Sequence, residues 1–312
     1  MQDRGAVVYA LMRFASAVPT LLLVVVVAFF MMRAAPGGPF DDERALPPET
    51  AANIRAAYDL DAPLLVQLGD YLGGLLRGDL GPSYHYPGYR VAELIADALP
   101  LSLLLGAASL LVALVVGIPA GIATAVRRNT AFDRLVTAAS LTGISVPVFV
   151  IAPLLVLVFA VQLRWLPAGW SGAESAAALL LPIVALSVPQ VAYIMRLMRA
   201  SMIEVLASDF VRSARAQGLD ARTIVTWHAL RPALMPLVSY LGPSIAAVLT
   251  GSIVVEQIFG IPGLGQLFVR AALNRDYPLV LGIVILYAAL VIVLNLIVDI
   301  LYGWLDPRIR NR

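Results

Sequence analysis

The side chains able to perform chemistry are few. The chain holds two histidines, His85 and His228, no cysteine and no lysine, so all 22 basic residues are arginine. Lack of cysteine removes disulfide frameworks and thiolate nucleophiles. Lack of lysine removes the P-loop, whose lysine reaches nucleotide phosphates, and Schiff-base chemistry, which needs an amine. Two histidines are too few for a histidine-rich metal site. Ser109, Ser140, Ser145, Ser187, Ser239, Ser244 and Ser252 stand in apolar runs that contain no histidine. A serine nucleophile there lacks its base, which counts against an intramembrane serine protease. His85 lies among Tyr84, Tyr86 and Tyr89 and reads as an exposed loop histidine rather than a ligand or proton relay.

What remains is a chemistry of contact. Residues 214–236 read ARAQGLDARTIVTWHALRPALMP, a polar stretch between long apolar runs. RLMRASMIEVLASDFVRSARAQ, residues 196–217, contains no helix breaker and reads as one helix. Gly218 suits the left-handed position that ends it. Asp220 then caps a second helix, ARTIVTWHAL, and Pro232 and Pro236 mark the next boundary. Arg212 and Arg215, three apart, share a face. Ala214 and Ala216 keep the turn slim. A solvated basic loop would explain the arginines but not a capped, thin helical hairpin, whose shape suits insertion into a partner.

The elements that must carry this hairpin follow from composition. The chain is 60% hydrophobic and 13% charged, against about 25% charged in soluble domains. A bilayer-spanning helix needs about 17–25 apolar residues. Six uncharged runs meet this: 14–32, 98–126, 135–163, 175–195, 232–255 and 277–298. The first exceeds a signal-peptide core and reads as a retained span. A shorter piece, 257–269, is broken by Pro262, Gly263 and Gly265 and reads as interfacial or re-entrant. None of the six runs contains an ionisable residue, which disfavours an ion-coupled secondary transporter. Prolines such as Pro100, Pro147 and Pro189, and small residues such as Gly117 and Gly121, read as kinks and close helix contacts.

Six spans place both termini on one side, and arginine selects it. With the termini inside, the inner segments hold 14 arginines against 7 acids and the outer ones 8 against 13, giving +7 inside and −5 outside. Both termini are therefore expected in the cytoplasm. The largest external segment, 34–97, reads as a small helical cap. LPPET starts one helix, Asp61 caps another near Pro63, and GDLGPSYHYPGY is loop. The long inner segment, 196–231, carries the hairpin. The whole chain, 1–312, reads as one transmembrane domain.

At the hairpin the sequence resembles the membrane subunits of binding-protein-dependent ABC importers. Their cytoplasmic motif runs Glu-Ala-Ala, three residues, Gly, nine residues, Ile-x-Leu-Pro. Aligned with it, Arg212, Ser213 and His228 differ, Ala214, Gly218 and Leu230 match, and Pro232 arrives one residue late in place of Arg231. The peptide-transport branch is closer: RSARAQGL and HALRPALMP follow its form, as do FFMMRAAPG, GDLGPS, SMIEVLASDFVR, VVEQIFGIPGLGQLF, LNRDYPLV and DPRIR. The chain resembles the B-type permeases of oligopeptide importers, with dipeptide, nickel and glutathione permeases as near relatives. GPSYHYPGY and RWLPAGW point to the oligopeptide type.

The resemblance implies an all-α membrane protein of the type I importer fold, in a bacterial inner membrane. It implies a second permease subunit forming the other half of the path, two cytosolic ATPases that bind the ATP, and an external peptide-binding protein. No cofactor, catalytic residue or metal ligand and no nucleic acid partner is expected of this chain. The hairpin, with Arg212, Ala214, Arg215, Ala216, Gly218 and Leu219, is then the coupling element that docks into a cleft of an ATPase.

Overall fold

A computed structural model describes residues 3–34, 61–172 and 176–305. The expected helix start at LPPET, the rest of 35–60 and the terminal DPRIR lie outside the described residues. The chain is all-α. In order run α1 (Asp3–Ala34), α2 (Leu64–Leu76), α3 (Val91–Val126), α4 (Ala131–Ser145) and α5 (Val148–Leu155), which passes into a π-helical turn, Val156–Gln162. Then come α6 (Ala176–Leu206), α7 (Asp209–Ala216), α8 (residues 221–233), α9 (Met235–Phe259), α10 (Leu264–Leu273) and α11 (Tyr277–Leu305). The described residues form two compact units. The larger is built on Ser102–Ile261 and residues from Val293 onward, the smaller on Phe14–Leu101 and Pro262–Ile292.

Five expected runs lie in single helices long and apolar enough to cross a membrane: those in α1, α3, α6, α9 and α11. The third run, 135–163, is not one straight span. It breaks into α4 and α5, which meet at 105°. Pro147 is the cause: it donates no backbone hydrogen bond and pushes Val146 out of the helical region, to φ −87°, ψ 120°. Only as a bent pair do α4 and α5 make a sixth span.

In the larger unit, α3 and α6 touch through glycine. A Cβ on Gly121 would lie 2.5 Å from the Met198 Cβ and 2.7 Å from the Met195 carbonyl oxygen; one on Gly117 would lie 2.9 Å from Ile194. Contact this close is what small residues permit in lipid, where packing drives association. Gln190 on α6 accepts hydrogen bonds from Tyr240 (3.0 Å) and Ser244 (2.9 Å) on α9. The smaller unit packs Val91 and Ile95 of α3 against Leu264, Ala271, Leu279 and Ile283.

Three local readings need correction. Asp61 does not cap α2: Pro63 occupies the cap position, and its carbonyl accepts from Val66 and Gln67. The 257–269 piece starts later than expected: residues 257–259 finish α9, Gly260 ends it at φ 66°, and the buried Leu264 opens α10, which is as short as the run suggested. Glu256 therefore lies inside a candidate span, although it bounds an uncharged run. Finally, 196–217 is not one helix. It breaks at Ala207–Ser208, where Ser208 is extended (φ −70°, ψ 159°) and its hydroxyl turns back to the Val205 carbonyl at 2.6 Å. Such local bonding competes with helix continuation.

Candidate functional site

The break at Ser208 creates the hairpin. α7 follows this break and ends at Gly218, whose φ of 83° is left-handed. The Gly218 and Leu219 amides return to the Arg215 and Ala214 carbonyls, at 3.0 and 3.3 Å. Asp220 then caps α8, accepting from the Thr223 amide at 3.1 Å. The Thr223 side chain first, and then this amide, hold its carboxyl below the usual range. Pro232 cannot donate within α8, and the helix widens into a π-helical turn over Ile224–Ala229 before it. The return strand of the hairpin is thus wider than an ordinary helix, as expected where proline disturbs the ladder.

The hairpin has a small core of its own. Val211 and Ala214 of α7 are buried against Ile224 of α8, with Val205 and Leu206 packed alongside. Of the expected contact residues, Arg212, Arg215, Ala216, Gly218 and Leu219 are exposed. Ala214 is not: it is 6% exposed and faces inward. Its smallness serves the closure of α7 on α8 rather than an outer docking face. Arg212 pairs with Asp209 one turn earlier. Two outward residues went unremarked in the sequence: Phe210, 47% exposed, and Trp227, 80% exposed. With Leu219 they give this polar hairpin large exposed apolar groups. The signal was present, since the inward positions Val211, Ala214 and Ile224 leave both aromatics on other faces.

The base of the hairpin is fixed. Arg199 of α6 donates twice to Asp133 of α4, at 2.7 and 2.8 Å. The Asn129 amide, at 2.9 Å, and the Thr137 hydroxyl, at 3.3 Å, fill the same carboxylate. The Arg199 hydrogen bond, reinforced by the others against the effect of burial, holds the Asp133 carboxyl far below the usual range. Ala229 and Ala233 of α8 pack with Met198 and Met202 of α6 in one buried cluster. The second helix of the hairpin is thus packed directly on α6.

Residues 117–311 match the family described as "Binding-protein-dependent transport system inner membrane component". The chain belongs to that family. It is similar to the oligopeptide transport system permease protein OppB of Salmonella typhimurium, 51% identical over 97% of this chain and 99% of that one. The protein of that name from Escherichia coli K12 is 50% identical over the same shares. The dipeptide transport system permease protein DppB of Bacillus subtilis is 40% identical over 97% of each chain. The chain is a multi-pass membrane component of a transport system, not an enzyme.

Two buried carboxylates of this transport component were not foreseen. Glu256, fully buried, accepts from the Ser102 hydroxyl of α3 at 2.7 Å, and its backbone carbonyl accepts from Ile261 at 2.9 Å. Absence of charge from the spans thus does not hold, and family membership rather than charge excludes the ion-coupled carrier. In the smaller unit, Asp276 is fully buried and gathers the loop 81–90. It accepts from the Ser83 hydroxyl, the Tyr84 amide (3.1 Å) and the His85 amide (3.2 Å), and from Leu279 at the start of α11 (3.3 Å). The His85 side chain is exposed, as its loop position suggested.

Proposed function

We propose that the chain is a permease subunit of an ATP-driven oligopeptide importer, and that the hairpin around Gly218 is its contact with a cytosolic ATPase. A second, different permease subunit completes the path. Two ATPases drive it, an external binding protein delivers peptides, and both termini lie in the cytoplasm. The observation that carries the coupling role is the hairpin itself: its own buried core, Gly218 at positive φ, Asp220 as cap, and an exposed tip that bears Leu219 among arginines. A chain without lysine or a phosphate-cradling loop must receive ATP-driven motion through such a contact. The +7 and −5 charge division supports the orientation. The oligopeptide cargo rests on higher identity to the oligopeptide than to the dipeptide permease, 51% against 40%.

Two experiments test this reading. Single cysteines are readily placed, because none is native. In intact cells an impermeant thiol reagent is expected to label Tyr89→Cys and spare Arg222→Cys; the reverse pattern rejects the orientation. Uptake of labelled peptides of increasing length into cells with the assembled importer is expected to favour chains longer than two residues. Uptake confined to dipeptides moves the chain to the dipeptide class.

A further inference from the structure

We propose that a cavity at the foot of the hairpin binds the phosphodiester headgroup of an anionic membrane lipid. This rests on the cytoplasmic placement of the hairpin proposed above. The cavity has a volume of about 320 Å³ and is lined by the end of α3, the last turns of α6, Arg215 of α7 and the start of α8. Its walls are apolar, formed by side chains such as Val126, Ile203, Leu206 and Ile224. The charged groups on its lining are two arginines, Arg128 and Arg215, with no acid. Among the described residues neither arginine has an ion-pair partner. Arg199 and Arg212 nearby do, and Arg127 lies 5.1 Å above the Phe132 ring.

Depth selects the ligand. Gly117 meets Ile194 and Gly121 meets Met198, so α3 and α6 run parallel in fixed register. Continued by one turn, Ala125 stands level with Met202 and Ile203. The cavity therefore opens where the apolar run 98–126 ends, at the level of the inner headgroups. Two guanidiniums suit a phosphodiester, which they bind through paired charge-assisted hydrogen bonds. The apolar walls suit the glycerol and first methylenes that follow. Basic pockets between membrane helices on the cytoplasmic side take lipid headgroups on these grounds. A soluble anion makes no use of the walls. An acidic segment of a protein partner would have to pass beneath the exposed tip, residues 216–219, to reach membrane depth. Arg215 thus steadies the hairpin from the lipid side, while Leu219 stays exposed for a partner.

The test places the full-length chain in phosphatidylcholine nanodiscs. These carry a minority of phosphatidylglycerol with a photoactivatable diazirine at the start of one acyl chain. Mass-spectrometric mapping is expected to find adducts on segments 203–207 and 221–225. Arg128→Ala with Arg215→Ala is expected to lower that yield about tenfold, since each basic group near an anionic surface contributes substantially to lipid binding. Both residues are exposed, so an unchanged melting profile verifies the fold. The double lysine variant is expected to keep most of the yield, and matched photoactivatable phosphatidylcholine to label weakly. Excess inorganic phosphate is expected not to compete. Capture that ignores the arginines, equal capture of the neutral lipid, displacement by inorganic phosphate, or replacement of lipid by an ATPase segment in the assembled importer each overturns the proposal. Nanodiscs expose both faces, so a wrong orientation shows in the Arg222→Cys labelling and leaves the capture result unchanged.

Discussion

The Gly218 turn and the loop 81–90 both rely on glycine at positive φ, 83° at Gly218 and 83° and 85° at Gly81 and Gly88. They use it to opposite ends. The loop turns its polar groups inward, where Ser83, Tyr84 and His85 converge on a carboxylate that has no exposure. The hairpin turns its polar groups outward, closes on Val211, Ala214 and Ile224, and leaves Phe210, Leu219 and Trp227 exposed. A fully satisfied buried hub holds a loop in one arrangement and leaves little to offer a partner. The hairpin does the reverse: its own core is small and apolar, and its polar groups and three large apolar side chains stay at the surface.

This contrast can be broken most severely at Asp276. Asp276→Ala removes the acceptor for Ser83, Tyr84, His85 and Leu279 at once. The expected loss is about 3–5 kcal/mol, as when one partner of a buried charged network is deleted. Membrane abundance is expected to fall sharply in quantitative immunoblots, and abundance at the wild-type level would mean that the loop is not held by this carboxylate.

The next effect lies at the foot of the hairpin. Asp133→Asn keeps the shape but removes the charge facing Arg199, which is partly exposed. A loss of roughly 1–3 kcal/mol is expected in detergent thermal scans. Because the native carboxyl titrates below its ordinary value of 3.8, its contribution is complete above about pH 4 and fades as the pH falls through the lowered native value. The wild-type melting temperature is therefore expected to drop toward that of the variant only in strong acid. A gap between the two that already closes near neutral pH would contradict the pairing.

Gly218→Val is expected to cost only about 1–2 kcal/mol, the strain of a left-handed L-residue, with near-normal abundance. Its functional effect is much larger than its effect on stability: loss of peptide uptake and of receptor-stimulated ATPase activity, read in proteoliposomes. Ala214→Trp is a different probe from what its spacing suggested, because the residue is buried in the hairpin core. Overpacking there is expected to unseat α7 from α8, at about 1–3 kcal/mol. The smallest stability change belongs to Trp227→Ala, within about 0.5 kcal/mol for a side chain so exposed. A clear fall in stimulated ATPase activity is still expected; activity equal to wild type removes Trp227 from the contact.

The hairpin was legible in sequence because its signals are local. Gly218 ends α7 and Asp220 caps α8 through neighbours three residues away. Five spans were legible because apolar length is also local. The bend at Pro147 was visible as a proline but not as 105°, since its angle depends on what α4 and α5 pack against. Glu256 was misread as the border of a membrane run and lies inside α9, whereas Asp276 does border α11 but its burial was not foreseen. A carboxylate can stay inside a helix if a hydroxyl meets it. Ser102 and Ser83, far off in the chain, are partners that no local pattern names. The inward turn of Ala214 likewise became visible only when Ile224 folded back on it.

The central claim, that the hairpin tip is the contact with the ATPase, is tested most directly at Leu219, which is exposed in this chain. Leu219→Cys gives a single thiol, since the chain has none. Its rate of maleimide labelling is measured with the permease subunits alone and in the assembled importer, with Tyr89→Cys as the reference. The account predicts rapid labelling of Leu219→Cys without the ATPases and strong protection with them, protection lost when Gly218→Val is added, and no change at Tyr89→Cys. Equal labelling of Leu219→Cys in both assemblies would contradict the account and leave the hairpin a solvated loop.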